Sequence, residues 1–170
     1  MSARVLIAYS GDLGEVAEAF AEGARPHSGQ IRIAELDVLL RDEGKAGLRE
    51  LEGSDAVALG TPGESGAPAV EVMRLLELTE PLWASGRLDD KVVTVFTDHP
   101  QVPAPDAVIF PIYSALYHWG AVVIGPRDFE LPGAATPDAR LSAARYRGRR
   151  LARLAGALAA ERAALAQVQL

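Results

Sequence analysis

The sequence predicts an α/β fold, an open five-stranded parallel sheet with helices on both faces, in a single domain over residues 1–170. Three observations predict it. Short apolar, β-branched runs alternate along the chain with stretches of helical period. The central runs are apolar throughout, as strands covered on both faces must be. The 170 residues suit one hydrophobic core, and 49% hydrophobic with 24% charged residues is the balance of a globular chain.

The expected strands are Arg4 to Tyr9, Gln30 to Leu36, Asp55 to Leu59, Lys91 to Phe96 and Ala121 to Ile124. Between the first two, Gly14 to Ala24 carries Val16, Phe20 and Ala24 at spacing four, the period of one helix face. The stretch from Asp37 to Leu51 lacks a clear pattern and reads as a loop, with room for a helical turn over Arg41 to Glu50. Val70 to Leu78 and Ile109 to Trp119 supply two further helices. The last helix is the longest: Thr136 is its N-cap, Pro137 its first helical residue, and it runs to an alanine-rich end near Ala166.

Composition removes several classes of function. The 23 acidic and 17 basic residues leave a formal charge of −6, which repels a nucleic-acid backbone. No cysteine is present, so there is neither a disulfide nor a thiolate nucleophile, and three histidines do not rebuild a zinc site; no metal is expected. Met1-Ser2-Ala3-Arg4 leads into Val5-Leu6-Ile7-Ala8, too short an apolar run for a signal peptide or membrane span, and a cytoplasmic location is expected.

An open α/β sheet places its ligand beyond the carboxyl ends of its strands. The segments Ser10 to Gly14, Gly60 to Ala67 and Thr97 to Asp106 should therefore form a crevice for a small molecule. The first joins a strand to a helix start, where free N–H groups and the helix dipole favour an anion. As a dinucleotide fingerprint it has glycine at 11 and 14 but Tyr9 at the first position, although Asp37 falls near the place of a ribose-binding acid. The plainer reading is that the two glycines let the chain turn tightly. A phosphate-accepting receiver shares the topology but needs an aspartate after the third strand and a lysine after the fifth, whereas Gly60-Thr61-Pro62-Gly63 follows the third and the only lysines are Lys45 and Lys91.

The run Gly60-Thr61-Pro62, then Leu75-Leu76-Glu77-Leu78-Thr79 and Leu82-Trp83-Ala84-Ser85-Gly86-Arg87-Leu88, resembles the WrbA-type flavodoxin-like family of FMN-dependent NAD(P)H:quinone oxidoreductases. The resemblance continues through Lys91 to Phe96, through Leu116, His118 and Gly120, and into Ala144-Arg145-Tyr146-Arg147-Gly148. It covers nearly the whole chain. It implies the flavodoxin-like strand order 2-1-3-4-5, an FMN cofactor with NAD(P)H as reductant, and a homodimer or homotetramer. Carried over residue by residue, the FMN positions are Ser10, Gly11, Asp12 and Leu13, then Thr61, Pro62, Gly63 and Gly66, then Thr97, Asp98 and His99; His118 falls at a family histidine near the flavin edge and is the catalytic candidate.

These positions depart from the family pattern in one direction. The phosphate loop is one or two residues short, and Asp12, Leu13 and Glu15 stand where neutral donors are expected. A carboxylate ~5 Å from the phosphate costs roughly 3 kcal/mol per pair of unit charges at an effective dielectric near 20. That is about a hundredfold in affinity. The family continues Thr-Arg-Phe-Gly-Asn after Gly60-Thr61-Pro62, but here Gly63-Glu64-Ser65-Gly66-Ala67 loses the arginine and the aromatic ring. Asp98 and three prolines then fill a loop that in the family is rich in serine, threonine and glycine.

The expectation is an eroded FMN site, with weak or no flavin binding, NAD(P)H engaged only if FMN binds, and a non-catalytic or oligomeric scaffold role. The alternative is an active FMN-dependent quinone oxidoreductase. The basic run Arg145, Arg147, Arg149, Arg150 and Arg153 is read as a solvated helix face, with a subunit contact to Glu71, Glu77 or Glu80 as the alternative.

Overall fold

The computed structural model describes residues 3–63, 66–97, 105–125 and 136–168. Five parallel strands, β1 (Ala3–Tyr9), β2 (Ser28–Glu35), β3 (Ala56–Gly60), β4 (Val92–Phe96) and β5 (Val122–Val123), form one sheet in the order β2-β1-β3-β4-β5. The helices are α1 (Gly14–Ala24), α2 (Leu36–Leu39), α3 (Lys45–Gly53), α4 (Val70–Leu78), α5 (Glu80–Trp83), α6 (Pro105–His118) and α7 (Pro137–Val168). The flavodoxin-like topology expected from the sequence is the one found.

Successive strand residues point to opposite faces, so the sheet builds two cores. Leu6, Ala8, Val57, Leu59, Val93 and Val95 meet α2 to α6 on one side. Val5, Ile7, Ala56, Ala58, Val92 and Phe96 meet α1 and α7 on the other. The expected bounds of α1 and α4 hold to the residue. The ends of β3, β4 and β5 shift by a residue, α5 is a short helix the sequence did not announce, and three segments differ further. β2 starts at Ser28, because that residue pairs with Ala3 of β1. The stretch expected to be a loop after β2 holds α2 and α3, whose Leu36, Leu39 and Leu51 are buried against the sheet; the burial supplies what the weak local pattern lacks. α6 begins at Pro105 rather than Ile109, as proline's fixed φ suits a first helical position. At α7, the Ala139 N–H donates to Thr136 Oγ1 at 3.3 Å, the N-cap bond the sequence implied.

α1 and α7 pack backbone to backbone. A Cβ on Gly23 would lie 1.8 Å from the Arg145 carbonyl oxygen, and one on Gly148 would lie 1.9 Å from that of Phe20. Both positions need glycine because the neighbouring atom is main chain and cannot move aside. The α7 arginines reinforce this seam. Arg145 Nε donates to Glu22 Oε2 at 2.6 Å, Arg147 donates to the Val95 carbonyl and lies 5.7 Å from the Phe20 ring centroid, and Arg150 donates to the Gly125 carbonyl at 3.2 Å. Arg145, Arg147 and Arg150 of the basic run are therefore engaged within the chain, whereas Arg149 and Arg153 are exposed, so the solvated-face reading holds for part of the run.

At the amino end of the sheet Lys91 is buried, its ammonium donating to the carbonyls of Glu52, at 2.9 Å, and of Ser54. Burial holds its pKa below the ordinary lysine value, partly offset by the Asp55 carboxylate. Asp55 in turn accepts from the Arg4 N–H at 2.9 Å and from Arg162 at 3.1 Å.

Gly148→Ala is expected to cost about 3 kcal/mol of unfolding free energy, the upper part of the overpacking range. Gly156→Ala, where the nearest atom to a new Cβ is 3.9 Å away, is expected to gain roughly 0.5–1 kcal/mol from helix propensity. Urea unfolding of the two variants checks the contrast. Lys91→Met is expected to cost about 1–3 kcal/mol at neutral pH, since two carbonyls lose their donor. Because the folded chain releases the Lys91 proton before the unfolded chain does, the wild type gains stability relative to Lys91→Met as pH rises through the lowered pKa. Unfolding curves across the alkaline range measure that slope, and a flat difference refutes it.

Candidate functional site

The strand register puts the three crevice segments side by side. Tyr9 pairs with Gly60 and Gly60 with Phe96, so Ser10, Thr61 and Thr97 are the first residues past the ends of three neighbouring strands. All three carry a hydroxyl. Adjacent strands are about 4.8 Å apart, so the row forms one short polar edge at the carboxyl end of the sheet.

The first segment is tight. The Ser10 N–H donates to the Gly60 carbonyl at 3.1 Å and the Leu13 N–H to the Gly11 carbonyl at 2.9 Å. Gly11 has φ +66, and a Cβ there would sit 3.3 Å from Pro62 Cγ, so the turn and its contact with the second segment both call for glycine. Leu13, a sequence-predicted ligand position, is fully buried in the α1/α7 core, and its side chain is withdrawn from the crevice. Asp12 and Glu15 are exposed at the start of α1, which has no side-chain cap. Tyr9 lies beside Glu35, with 3.5 Å between the hydroxyl and the carboxylate; burial first, and then Glu35, raise its pKa above the ordinary phenol value.

The second segment is tied to itself. Thr61 is buried; its N–H donates to the Phe96 carbonyl at 3.0 Å, and its Oγ1 accepts from the Ala69 N–H at 2.8 Å while donating to the Pro62 carbonyl at 3.2 Å. The Gly66 N–H closes a turn onto the Gly63 carbonyl at 3.0 Å. The Thr97 hydroxyl differs from the other two, being buried with no hydrogen-bond partner among the described residues. Glu64, Ser65, Asp98 and His99 lie outside the described residues.

Glu71, in the first turn of α4, is the crevice residue the sequence reading misplaced. Its Oε2 accepts the Ser10 hydroxyl at 2.8 Å across 61 residues of chain. No local pattern signals such a pair. The described parts of the three segments, residues 10–14, 60–63, 66–67, 97 and 105–106, contain no lysine or arginine.

His118 does not join this group. It is exposed at the carboxyl end of α6, beside Tyr117 with ring centroids 6.3 Å apart. The next turn, at Gly120, accepts the Asp90 N–H at 3.1 Å, just before β4 begins. That is the amino end of the sheet, about 16 Å from the crevice at roughly 3.3 Å per strand residue. The helix must cross back from the end of β4 to the start of the parallel β5, so its last turn lies far from the ligand end. Among the described residues no group of three or more His, Asp or Glu side chains is placed to hold a metal, and no helix is long and apolar enough to cross a membrane.

No protein-family model matches the chain. It is 30% identical to an NAD(P)H dehydrogenase (quinone) of Methylocella silvestris, covering 92% of this chain and 98% of the relative. With another of Paracoccus denitrificans it shares 30% identity, covering 93% and 96%. The first alignment extends over 196 positions, more than the 170 residues of this chain, so the relative carries segments that this chain lacks. Among solved structures, the WrbA-like flavodoxin of Agrobacterium tumefaciens superposes with a TM-score of 0.68 at 22% identity, covering 91% of this chain and 98% of that one. General stress protein 14 of Treponema denticola, solved in complex with FMN, gives 0.61 at 16% identity over 89% and 99%. The solved structures share the fold. On the two quinone dehydrogenases, matched over nine-tenths of its length, this chain belongs to the WrbA-type flavodoxin-like family of NAD(P)H:quinone oxidoreductases.

Proposed function

We propose that this chain is a cytoplasmic, homo-oligomeric WrbA-type scaffold whose crevice binds FMN weakly or not at all. The row of hydroxyls carries this reading: Ser10 already donates to a carboxylate and Thr61 to its own segment, which leaves Thr97 alone unpartnered. An FMN phosphate carries nearly two negative charges at neutral pH and needs donors or cations. The described crevice segments offer it no cation, and Asp12 and Glu15 stand at the start of α1 where it would approach. The helix dipole contributes only about 0.3–1 kcal/mol at an exposed site. The described crevice residues do not fit the phosphate. NAD(P)H would be engaged only through FMN.

The oligomer is supported by apolar surface on three helices, α4, α5 and α6. Val70 is 73% exposed on α4, and Phe110 and Tyr117 are 61% and 76% exposed at a spacing of seven on α6; Met73 and Trp83 add to them. Leu82, Tyr113 and Trp119, apolar or aromatic residues of the same helices and the turn after α6, do not add to this surface. Instead Leu82 and Trp119 are buried, Trp119 donating to Thr79 Oγ1 at 3.0 Å, and Tyr113 donates to the Ile124 carbonyl at 3.1 Å.

A second reading, an active FMN-dependent NAD(P)H:quinone oxidoreductase, is favoured by the uncapped start of α1 and the unpartnered Thr97 hydroxyl, both of which offer donors to an anion. Titration of the apo-protein with FMN, followed by flavin fluorescence, separates the two. Dissociation at tens of micromolar or weaker, an affinity about two decades short of submicromolar binding, is expected. A submicromolar constant overturns the scaffold reading in favour of the oxidoreductase. Sedimentation at micromolar concentration is expected to show a dimer or tetramer, and a single species near 18.0 kDa refutes the oligomer.

A further inference from the structure

We propose that Glu71 determines which ligands the crevice accepts: its carboxylate, held on the Ser10 hydroxyl, stands in for a ligand phosphate and disfavours ligands that carry one. This rests on the weak-FMN reading above and names the residue responsible. A serine hydroxyl has one proton to donate, and that of Ser10 goes to Glu71 Oε2 at 2.8 Å. An incoming phosphate would meet the oxygen's lone pairs and, directly behind them, a full negative charge.

Two further features keep the carboxylate in place. Glu71 lies in the first turn of α4, where no side chain caps the helix and the dipole favours an anion. The start of that helix is itself fixed, because the Ala69 N–H donates to Thr61 Oγ1 at 2.8 Å. Glu71 is also only partly exposed, whereas Asp12 and Glu15 face solvent. Charges in water are screened over about 8 Å at physiological salt, while a partly buried, hydrogen-bonded carboxylate is screened much less. Of these three carboxylates Glu71 therefore weighs most against a phosphate.

The test compares FMN with riboflavin, which has the same ring system and no phosphate, on the full chain. In the wild type riboflavin is expected to bind at least as tightly as FMN. Glu71→Gln keeps the shape and removes the charge; it is expected to shift the affinity ratio toward FMN by about tenfold or more, with riboflavin affinity unchanged. Glu77→Gln removes one charge from the same helix, at a residue paired with Arg74 on the surface, and is expected to leave the ratio alone. Ser10→Ala combined with Glu71→Gln is expected to lose the gain, because the freed hydroxyl is what receives the phosphate.

An unchanged ratio in Glu71→Gln overturns the proposal, as does an equal gain in Glu77→Gln. If the wild type binds neither flavin measurably, FMN binding that appears in Glu71→Gln supports the proposal and its continued absence overturns it. Submicromolar FMN binding by the wild type defeats the weak-cofactor reading, whereas the role of Glu71 is judged by the shift in the ratio alone.

Discussion

The crevice depends on how α1 is held, and α1 is held by a contact in which main chain touches main chain. Gly23 and Gly148 let the two helices approach until a carbonyl of each lies where the other's Cβ would be. Such proximity leaves little freedom for sliding, since any other side chain at either site would drive the helices apart. Phe20 stacks on Phe96 with ring centroids 5.2 Å apart, tying the same helix to the end of β4. Leu13, buried at the foot of α1, fixes the chain entering the helix. The turn from Ser10 to Leu13 is thereby set between a strand end and a helix start that cannot shift relative to each other.

The arginines of α7 belong to that seam. Arg147 reaches the Val95 carbonyl near the end of β4, and Arg150 reaches the Gly125 carbonyl just past β5. Both guanidinium groups thus approach the carboxyl end of the sheet from the α7 side, yet their donors go to main-chain oxygens. Leaving a buried carbonyl without a donor costs about 1–3 kcal/mol, so at the part-buried Val95 oxygen Arg147 holds α7 onto the sheet, whereas the Arg150 contact lies in solvent.

Under the proposed weak-FMN reading, family membership and site chemistry separate. The topology, the two cores and the helix seam can be kept while the polar edge beyond the strands changes, since the edge residues contribute little to the core. Ser10, Thr61 and Thr97 form that edge, and each hydroxyl meets a different fate: one held by a carboxylate, one closed on its own segment, one left without a partner. The ligand preference of such an edge follows from those partners and not from the fold around it.

The sequence by itself determined the five strands and the bounds of α1 and α4, because burial writes apolar runs into covered strands and a period of 3.6 into helices, while the order of the strands came from the family resemblance. It also located the three crevice segments and the motif around Gly148, though not why that glycine is needed. It missed α2 and α3, whose stability comes from leucines buried against a sheet that local pattern does not reveal. By resemblance it put His118 near a flavin edge, and within the chain the crossing of α6 carries that residue to the end of the sheet opposite the crevice. Only the tertiary structure decided that Glu71 meets Ser10, that the α7 arginines cap carbonyls, and that Leu13 is core. The physical reason is that hydrogen bonds and charges act over a few ångströms in space, and these partners are dozens of residues apart along the chain.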